Sequence, residues 1–192
     1  MTAPAGPRRV LAYAEAALPA RYAAQVAGIE AAAWPGAAPG HDPALAPRVL
    51  LLVDPADTVL ASLALLFKEL EHGGRRLRAA GLSSVAVRPD ARGRGHGLRV
   101  VRAAHAALAA EPGLDLALFS CDRALVPFYE RASFQVLPGT VLVGGTPEEP
   151  LATDAPGFDK AVLAGCFGPG TAPADFAGTR IGLYPGTRDR LW

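Results

Sequence analysis

What the chain has little of narrows its class first. Only two cysteines, Cys121 and Cys166, occur in 192 residues. They lie far apart with no CxxC or Cys/His ligand spacing, so neither a disulfide framework nor a metal site is expected. Two reduced thiols in a cytoplasmic protein is the reading they give. A charge excess is missing as well: 19 basic against 18 acidic residues leave a net +1. That balance argues against a nucleic-acid partner and against a polybasic membrane surface. Long apolar runs are also absent. The longest, Val59 to Phe67, is far shorter than the roughly 20 residues that cross a bilayer as a helix, so no membrane partner is expected. Near the start, Arg8 and Arg9 precede VLAYAEAAL, but Glu15 and Arg21 interrupt the clean apolar segment that an export signal requires.

About half of the residues are apolar (51%), enough to build a core in a chain of one-domain size. A single domain over residues 1–192 is expected, with a Gly/Pro-rich C-terminal tail from about residue 165. RRVLAYAE reads as an opening strand, and LPARYAAQVAGIEAAAW as a helix whose Tyr22, Val26 and Ile29 recur near a 3.6-residue period. Pro35, Pro39, Pro43 and Pro47 then enforce a stiff loop. RVLLLVD and TVLASLALLFKELE form a hairpin, and a Gly-Gly turn at 73–74 leads into RRLRAAGLSSVAV, so three strands meander. Leu98, Val101, Ala104 and Leu108 line one face of the next helix, which Pro112 and Gly113 end. LDLALFSC is a strand apolar enough to be buried on both faces. Asp122 to Ser133 reads as a short helix, with Asp122 as its cap and Pro127 either kinking it or sitting in its first turn. SFQVL, TVLVGG and KAVLAG close the chain as strands. The predicted order, β-α-β-β-β-α-β-α-β-β, gives an α/β fold in which helices flank one mixed sheet, with a helical crossover making two of its strands parallel.

Between the fourth strand and the second helix lies VAVRPDARGRGHGLRVV. Gly93, Gly95 and Gly97 alternate there with Arg92, Arg94 and His96 ahead of an amphipathic run. A helix N-terminus offers unpartnered N–H groups and the positive end of the helix dipole, and glycines let the backbone curl around a phosphate. Arginines add charge-assisted bonds. The dinucleotide pattern G-x-G-x-x-G is absent, and no GK[ST] follows. A flexible glycine turn with solvated arginines fits the composition equally well.

The whole segment SSVAVRPDARGRGHGLRVVRAAHAAL resembles the acetyl-coenzyme A motif of the GNAT superfamily of N-acetyltransferases, R/Q-x-x-G-x-G/A after a strand that ends in a V-x-P turn. Arg92, Gly95 and Gly97 fill that pattern. A second block, VPFYERASF, is similar to the PFYEKLGF segment that follows the next strand in that superfamily. The resemblance implies the GNAT fold and acetyl-coenzyme A as cosubstrate, with no metal. It implies that backbone groups of Val85, Ala86 and Val87 bond the pantetheine arm and that amides from Arg92 through Gly93, Arg94, Gly95, His96 and Gly97 to Leu98 take the pyrophosphate. Tyr129 would face the thioester sulfur, with the acetyl carbonyl in the cleft where two parallel strands splay apart. A homodimer is compatible with the superfamily.

Acyl transfer to an amine needs an acid for the departing thiolate and a base for the amine proton. Tyr129 fits the acid, although a tyrosine on an apolar helix face also suits a core. The base is harder to find. The general pattern is similar to that of aminoglycoside 2'-N-acetyltransferases, which share an EGVAVR-like strand and a terminal tryptophan after an acidic residue, but here Ser83 stands where the glutamate would be. A serine alone does not accept a proton at neutral pH, which leaves water or Glu69, Glu71 and His72 on the preceding strand. His96 reads as a loop residue or phosphate contact. Ser133 replaces the usual glycine and is expected in a left-handed cap.

The amine acceptor, a small molecule or peptide, is expected near Trp34, Asp42, Asp154 and Asp159 and near the tail RDRLW; the likeness to aminoglycoside 2'-N-acetyltransferases, if it extends this far, implies a resistance enzyme in which Asp189 and the Trp192 carboxylate meet a polycationic substrate. Arg180, Arg188 and Arg190 oppose one, and a disordered terminus is the plain alternative. Two further classes stay open: a GNAT-fold protein that holds acyl-coenzyme A without turnover, motivated by Ser83, and an enzyme for longer acyl chains.

Overall fold

Apolar patterning in the first half produces a four-stranded meander wrapped by two helices. In a computed structural model of the protein, which describes residues 6–191, β1 (Arg9–Ala14) is followed by α1 (Ala20–Ala33), β2 (Arg48–Val53), β3 (Val59–His72) and β4 (Arg75–Val87). The four strands pair antiparallel in that order. Gly73 and Gly74 make the tight turn between β3 and β4 with φ of 57° and 74°, the left-handed conformations such a hairpin requires. α2 (His96–Ala109) then crosses over and returns the chain as β5 (Leu116–Asp122), parallel to β4. α3 (Val126–Glu130), β6 (Gln135–Val136), β7 (Val141–Gly145), β8 (Pro150–Ala152), β9 (Lys160–Cys166) and β10 (Arg180–Gly182) complete the chain. The large sheet runs β1-β2-β3-β4-β5-β9-β6, and β10-β7-β8 form a small second sheet.

Burial on both faces explains why β2 is an unbroken apolar run. Leu50 and Leu52 join Leu63, Leu65 and Leu82 under Val100, Val101, Ala104 and Leu108 of α2. Val49, Leu51 and Val53 turn the other way, onto Tyr22, Val26 and Ile29 of α1. The two helices thus hold opposite faces of one sheet, each by the stripe that its periodicity marks. Every such leucine contributes about 1.5–3 kcal/mol of transfer free energy. No helix among the described residues is long and apolar enough to cross a membrane.

The mixed α/β fold agrees with the expectation, and the expected element order holds through the second short helix. Four details differ. Five strands, not two, follow the short helix, and β7 leaves the expected single sheet to pair with β8 and β10 in a second one. The short helix is only one turn of α-helix, after a 3-10 turn at Arg123–Leu125, with Pro127 in its first turn, where no N–H is needed. Asp122 gives it no side-chain cap. Its carboxylate instead accepts from Lys160 Nζ, the residue opposite it across β5 and β9. The tail after Cys166 is ordered by burial where composition suggested a terminus without structure. Phe176, Ile181 and Leu183 pack on Leu70, Leu77, Leu116, Leu118 and Val162, and β10 adds to β7. A few apolar residues scattered among many glycines and prolines carry that packing, which is why the composition hides it.

Candidate active site

The sheet opens where β4 and β5 should continue side by side. Their parallel pairing is confined to Ala79 with Leu116 and Ala80 with Ala117. Beyond it β5 stays paired to β9 through Asp122, while β4 runs on to Val87 along β3. The edge of β4 that carries Val85, Ala86 and Val87 therefore has no strand on its β5 side. The Val87 carbonyl accepts from Arg92 Nε at 3.3 Å, which draws that arginine against the strand end.

The Gly/Arg segment lies at the mouth of this opening. A 3-10 turn at Pro89–Ala91 leads into it. Gly93 and Gly95 take φ of 74° and 76°, and Gly95 is the left-handed N-cap of α2 without any side-chain cap bond. Amides from Gly93 to Leu98 make no hydrogen bond to protein among the described residues. Arg92 and Arg94 are exposed beside them. The third glycine has another task. Gly97 is not left-handed, but a Cβ on it would sit 3.1 Å from Val87 Cγ2 and 3.5 Å from Phe128, so its absence lets the first turn of α2 press on β4 and α3. His96 is buried, and burial first, then Arg8, Arg94 and Arg99, holds its imidazole below the usual histidine range. Its side chain thus faces inward and stays neutral. Only its amide is aligned with the loop.

Tyr129 stands on the α2 side of the opening, 6% exposed, edge-on to Phe119 of β5 and to Phe128. Burial, and then the nearby Cys121 and Asp122, push its phenol well above the ordinary value. The hydroxyl has no protein hydrogen-bond partner among the described residues. A protonated donor is thereby kept beside the gap. Ser133 has φ 72°, the left-handed conformation expected for it.

Across the strand the structure shows a constellation that sequence reading missed. Ser62 pairs with Ala86 and Ala64 with Ser83, so Leu63 alone faces both Ser84 and Val85, a β-bulge. At the bulge Ser84 is left-handed with φ 51°. Its Oγ lies 3.1 Å from His41 Nε2, and His41 Nδ1 lies 2.7 Å from Glu15 Oε1. The other Glu15 oxygen accepts the His41 backbone N–H at 3.0 Å. His41 is 6% exposed. Glu15, His41 and Ser84 are far apart in sequence, and the only local clue was that Ser84 stands at the glycine of the EGVAVR pattern, a position suited to positive φ.

Ser83 shares a face with Ala64, the side on which Leu45 packs. Glu69 is not brought near it. It lies five residues along β3 from Ala64, about 17 Å at strand rise, on the opposite face, and it is exposed and paired with Arg76. Glu71 also meets Arg76, and His72 stacks on Phe176, so these candidate bases belong to the far end of the hairpin. Among the acceptor candidates, Trp34 ends α1 and is 43% exposed. The Asp42 side chain accepts from the Ala44 amide, and its own N–H donates to Asp189 Oδ2 at 2.7 Å. Asp42, Lys68, Glu69 and Tyr184 line a groove of about 420 Å³. Asp154 pairs with Arg180 and Asp159 with Arg123, around another recess. Trp192 lies outside the described residues. Arg188, expected to repel a cation, donates to the carbonyls of Pro39 and Gly40 and clamps the loop before His41.

A family model described as an acetyltransferase (GNAT) domain matches residues 20–137, from α1 through the opening to the end of β6. Among curated proteins no sequence match is found. Solved structures with the same fold include Escherichia coli YhbS, a GNAT family N-acetyltransferase in complex with CoA, at 18% identity and TM-score 0.59 over 95% of this chain and 92% of that one. Escherichia coli ElaA superposes at 14% identity and TM-score 0.58, over 82% of this chain and 99% of its own. A probable N-acyltransferase from Enterococcus faecalis is matched at 15% identity and TM-score 0.53, over 69% of this chain but only 33% of that longer one. With more than half of its length matched by the family model and its mixed sheet opened between two parallel strands, the chain belongs to the GNAT acetyltransferase family and is an acyltransferase.

Proposed function

We propose that the protein transfers an acyl group, acetyl in the simplest case, from acyl-coenzyme A to a primary amine of a small molecule or peptide within a ternary complex. The observation that carries this reading is the run of unpartnered amides from Gly93 to Leu98 beside the unpaired edge of β4. These groups fit a coenzyme with a pyrophosphate and an amide-bearing arm: the loop satisfies anionic oxygens by backbone N–H and helix dipole, with Arg92 and Arg94 adding charge. The free strand edge at Val85 and Ala86 offers alternating donors and acceptors to an extended arm, as a missing strand would. When bound, the coenzyme supplies an activated acyl group as a thioester. Tyr129 is the proton donor at the gap, and Ser83 lies on the acceptor side of β4 without acting as a base. Trp34, Asp42 and Asp154 remain candidates for acceptor contact, and Glu69, apart from Ser83 but on the groove that Asp42 lines, belongs with them.

Calorimetric titration with acetyl-coenzyme A, coenzyme A and a dinucleotide control tests the binding half, with micromolar and selective affinity expected. Failure to bind either coenzyme would return the glycines to a plain turn. Thiol release from acetyl-coenzyme A over an amine panel tests the second half. Binding without release would favour the non-catalytic holder of acyl-coenzyme A, the reading that the absent carboxylate at Ser83 supports.

A further inference from the structure

We propose that Glu15, His41 and Ser84 form the proton relay that accepts the amine proton, in place of the carboxylate this strand lacks. This inference rests on the amine-transfer reading above. Its starting point is directional. Both Glu15 oxygens are committed to His41, one to the ring Nδ1 and one to the backbone N–H. A carboxylate only accepts, so Nδ1 carries a hydrogen, and in the relay the ring enters with Nε2 as the acceptor. Ser84 must then donate its O–H to Nε2. Its oxygen lone pairs point away from the imidazole and are ready for another donor, such as the N–H of an amine.

Placement agrees with that direction. Ser84 is the bulge residue of β4 on the stretch that β5 leaves unpaired, next to Val85. Val85 packs into the cluster that holds Tyr129 under α2, whereas the His41 loop packs from the other face, where Leu45 meets Ala64 and Leu66. The donor for the thiolate and the acceptor for the amine thus reach the opening from opposite faces of the sheet. A left-handed φ on a serine costs about 1 kcal/mol or more, and it aims this hydroxyl at a buried imidazole. The charged groups around His41 are Glu15 from the turn after β1, Glu30 from α1, and Arg188 from the tail, with Asp42 next in sequence held by Asp189. Burial first, then Glu15, raises the Glu30 carboxyl, and His41 opposes it. Glu15 is the charge in direct contact.

In the step, the amine nitrogen bonds to the acyl carbon with its lone pair, and the carbon–sulfur bond breaks with its pair on sulfur. One amine proton moves to Ser84 Oγ as the Ser84 proton moves to His41 Nε2, and the thiolate takes the Tyr129 proton. Solvent then returns the imidazolium proton to the phenolate, so no other reactant is consumed. Ser84 is the group that touches substrate. His41 and Glu15 act through it.

The test compares wild type with Ser84→Ala, Ser84→Gly and His41→Gln in steady-state thiol release against pH, with calorimetric coenzyme A affinity beside it. A general base is worth about 100-fold or more in rate, so kcat should fall by about that factor in all three while coenzyme affinity stays within about twofold. The loss should fall on kcat, with the KM for the amine within about twofold of wild type. Ser84→Gly relieves the positive φ, so its loss of rate with an unchanged or higher melting temperature separates chemistry from folding. Wild-type turnover with unchanged variants would overturn the relay alone. A wild type that binds coenzyme A but acylates no amine would end the transfer reading and the relay with it. An acyl group trapped on Ser84 by intact mass would replace the relay with a covalent serine intermediate.

Discussion

Two side chains show how one atom's surroundings decide its worth. The Ser62 hydroxyl on β3 is 1% exposed and has no hydrogen-bond partner among the described residues. A buried hydroxyl left unmatched costs more than the bond it could make, so Ser62→Ala should raise stability by about 1 kcal/mol. A higher urea midpoint at unchanged slope would show it, and a lower one would mean that the hydroxyl has a use. Tyr129 is the opposite case, since its unmatched hydroxyl is the proposed proton donor and its ring is already held by Phe119 and Phe128. Tyr129→Phe keeps those ring contacts, so kcat should drop by about 100-fold with coenzyme affinity unchanged. An undiminished rate would remove the tyrosine from the acid role. Because burial raises the phenol above its ordinary value, wild-type kcat should show no alkaline limb from Tyr129 through the neutral range.

At the scale of elements, the C-terminal tail acts on the site from a distance. Gly144 on β7 has no room for a side chain: a Cβ there would lie 1.6 Å from the Arg190 carbonyl oxygen. Gly144→Ala should therefore displace the segment that carries Arg188 and Asp189, which hold Pro39, Gly40 and Asp42 around His41. The expected outcome is faster amide exchange in residues 39–42 and a fall in acyl transfer of about 10-fold, the scale on which small misplacements act. Coenzyme affinity should be unaffected, because α2 and β4 lie elsewhere. Equal loss of coenzyme affinity would show that the tail supports the whole opening and not the acceptor loop alone.

For the whole molecule, buried acids set how stability depends on pH. Burial first, then Asp122, pushes the Cys121 thiol from an ordinary 9.0 up to about 11, and Tyr129 is raised as well. Both folded values exceed the unfolded ones, so the unfolded chain loses these protons first. The stabilisation is complete below about pH 9 and is lost as pH rises toward 11. Urea midpoints should decline over that window, and Cys121→Ala should make the decline shallower. A flat profile in wild type would show that Cys121 is solvated in the folded state. The same shift predicts a slow reaction of Cys121 with alkylating agents near neutrality, since the thiolate is the reactive form.

Much of the scaffold was legible before any coordinates. Tyr22, Val26 and Ile29 on α1, the unbroken β2, the Gly73–Gly74 turn and the left-handed Ser133 each follow from patterns spanning a few residues, because helix period, double burial and turn chemistry are local. The Gly/Arg entry to α2 and the one-turn helix with Tyr129 were readable for the same reason. How far Glu69 stands from Ser83 was not legible, because a strand residue's face and distance depend on its register with the next strand, which composition does not state. The tail's packing rests on a few scattered apolar side chains finding a sheet far back in the chain. The Glu15–His41–Ser84 chain joins a turn, a proline-rich loop and a bulge, and the bulge exists only because Leu63 faces two residues of β4. The sequence by itself determined most of the elements and the Gly/Arg loop at the start of α2 through short-range periodicity and backbone preference. Tertiary structure alone decided which polar groups meet at the opening, because their hydrogen bonds join residues that nothing local brings together.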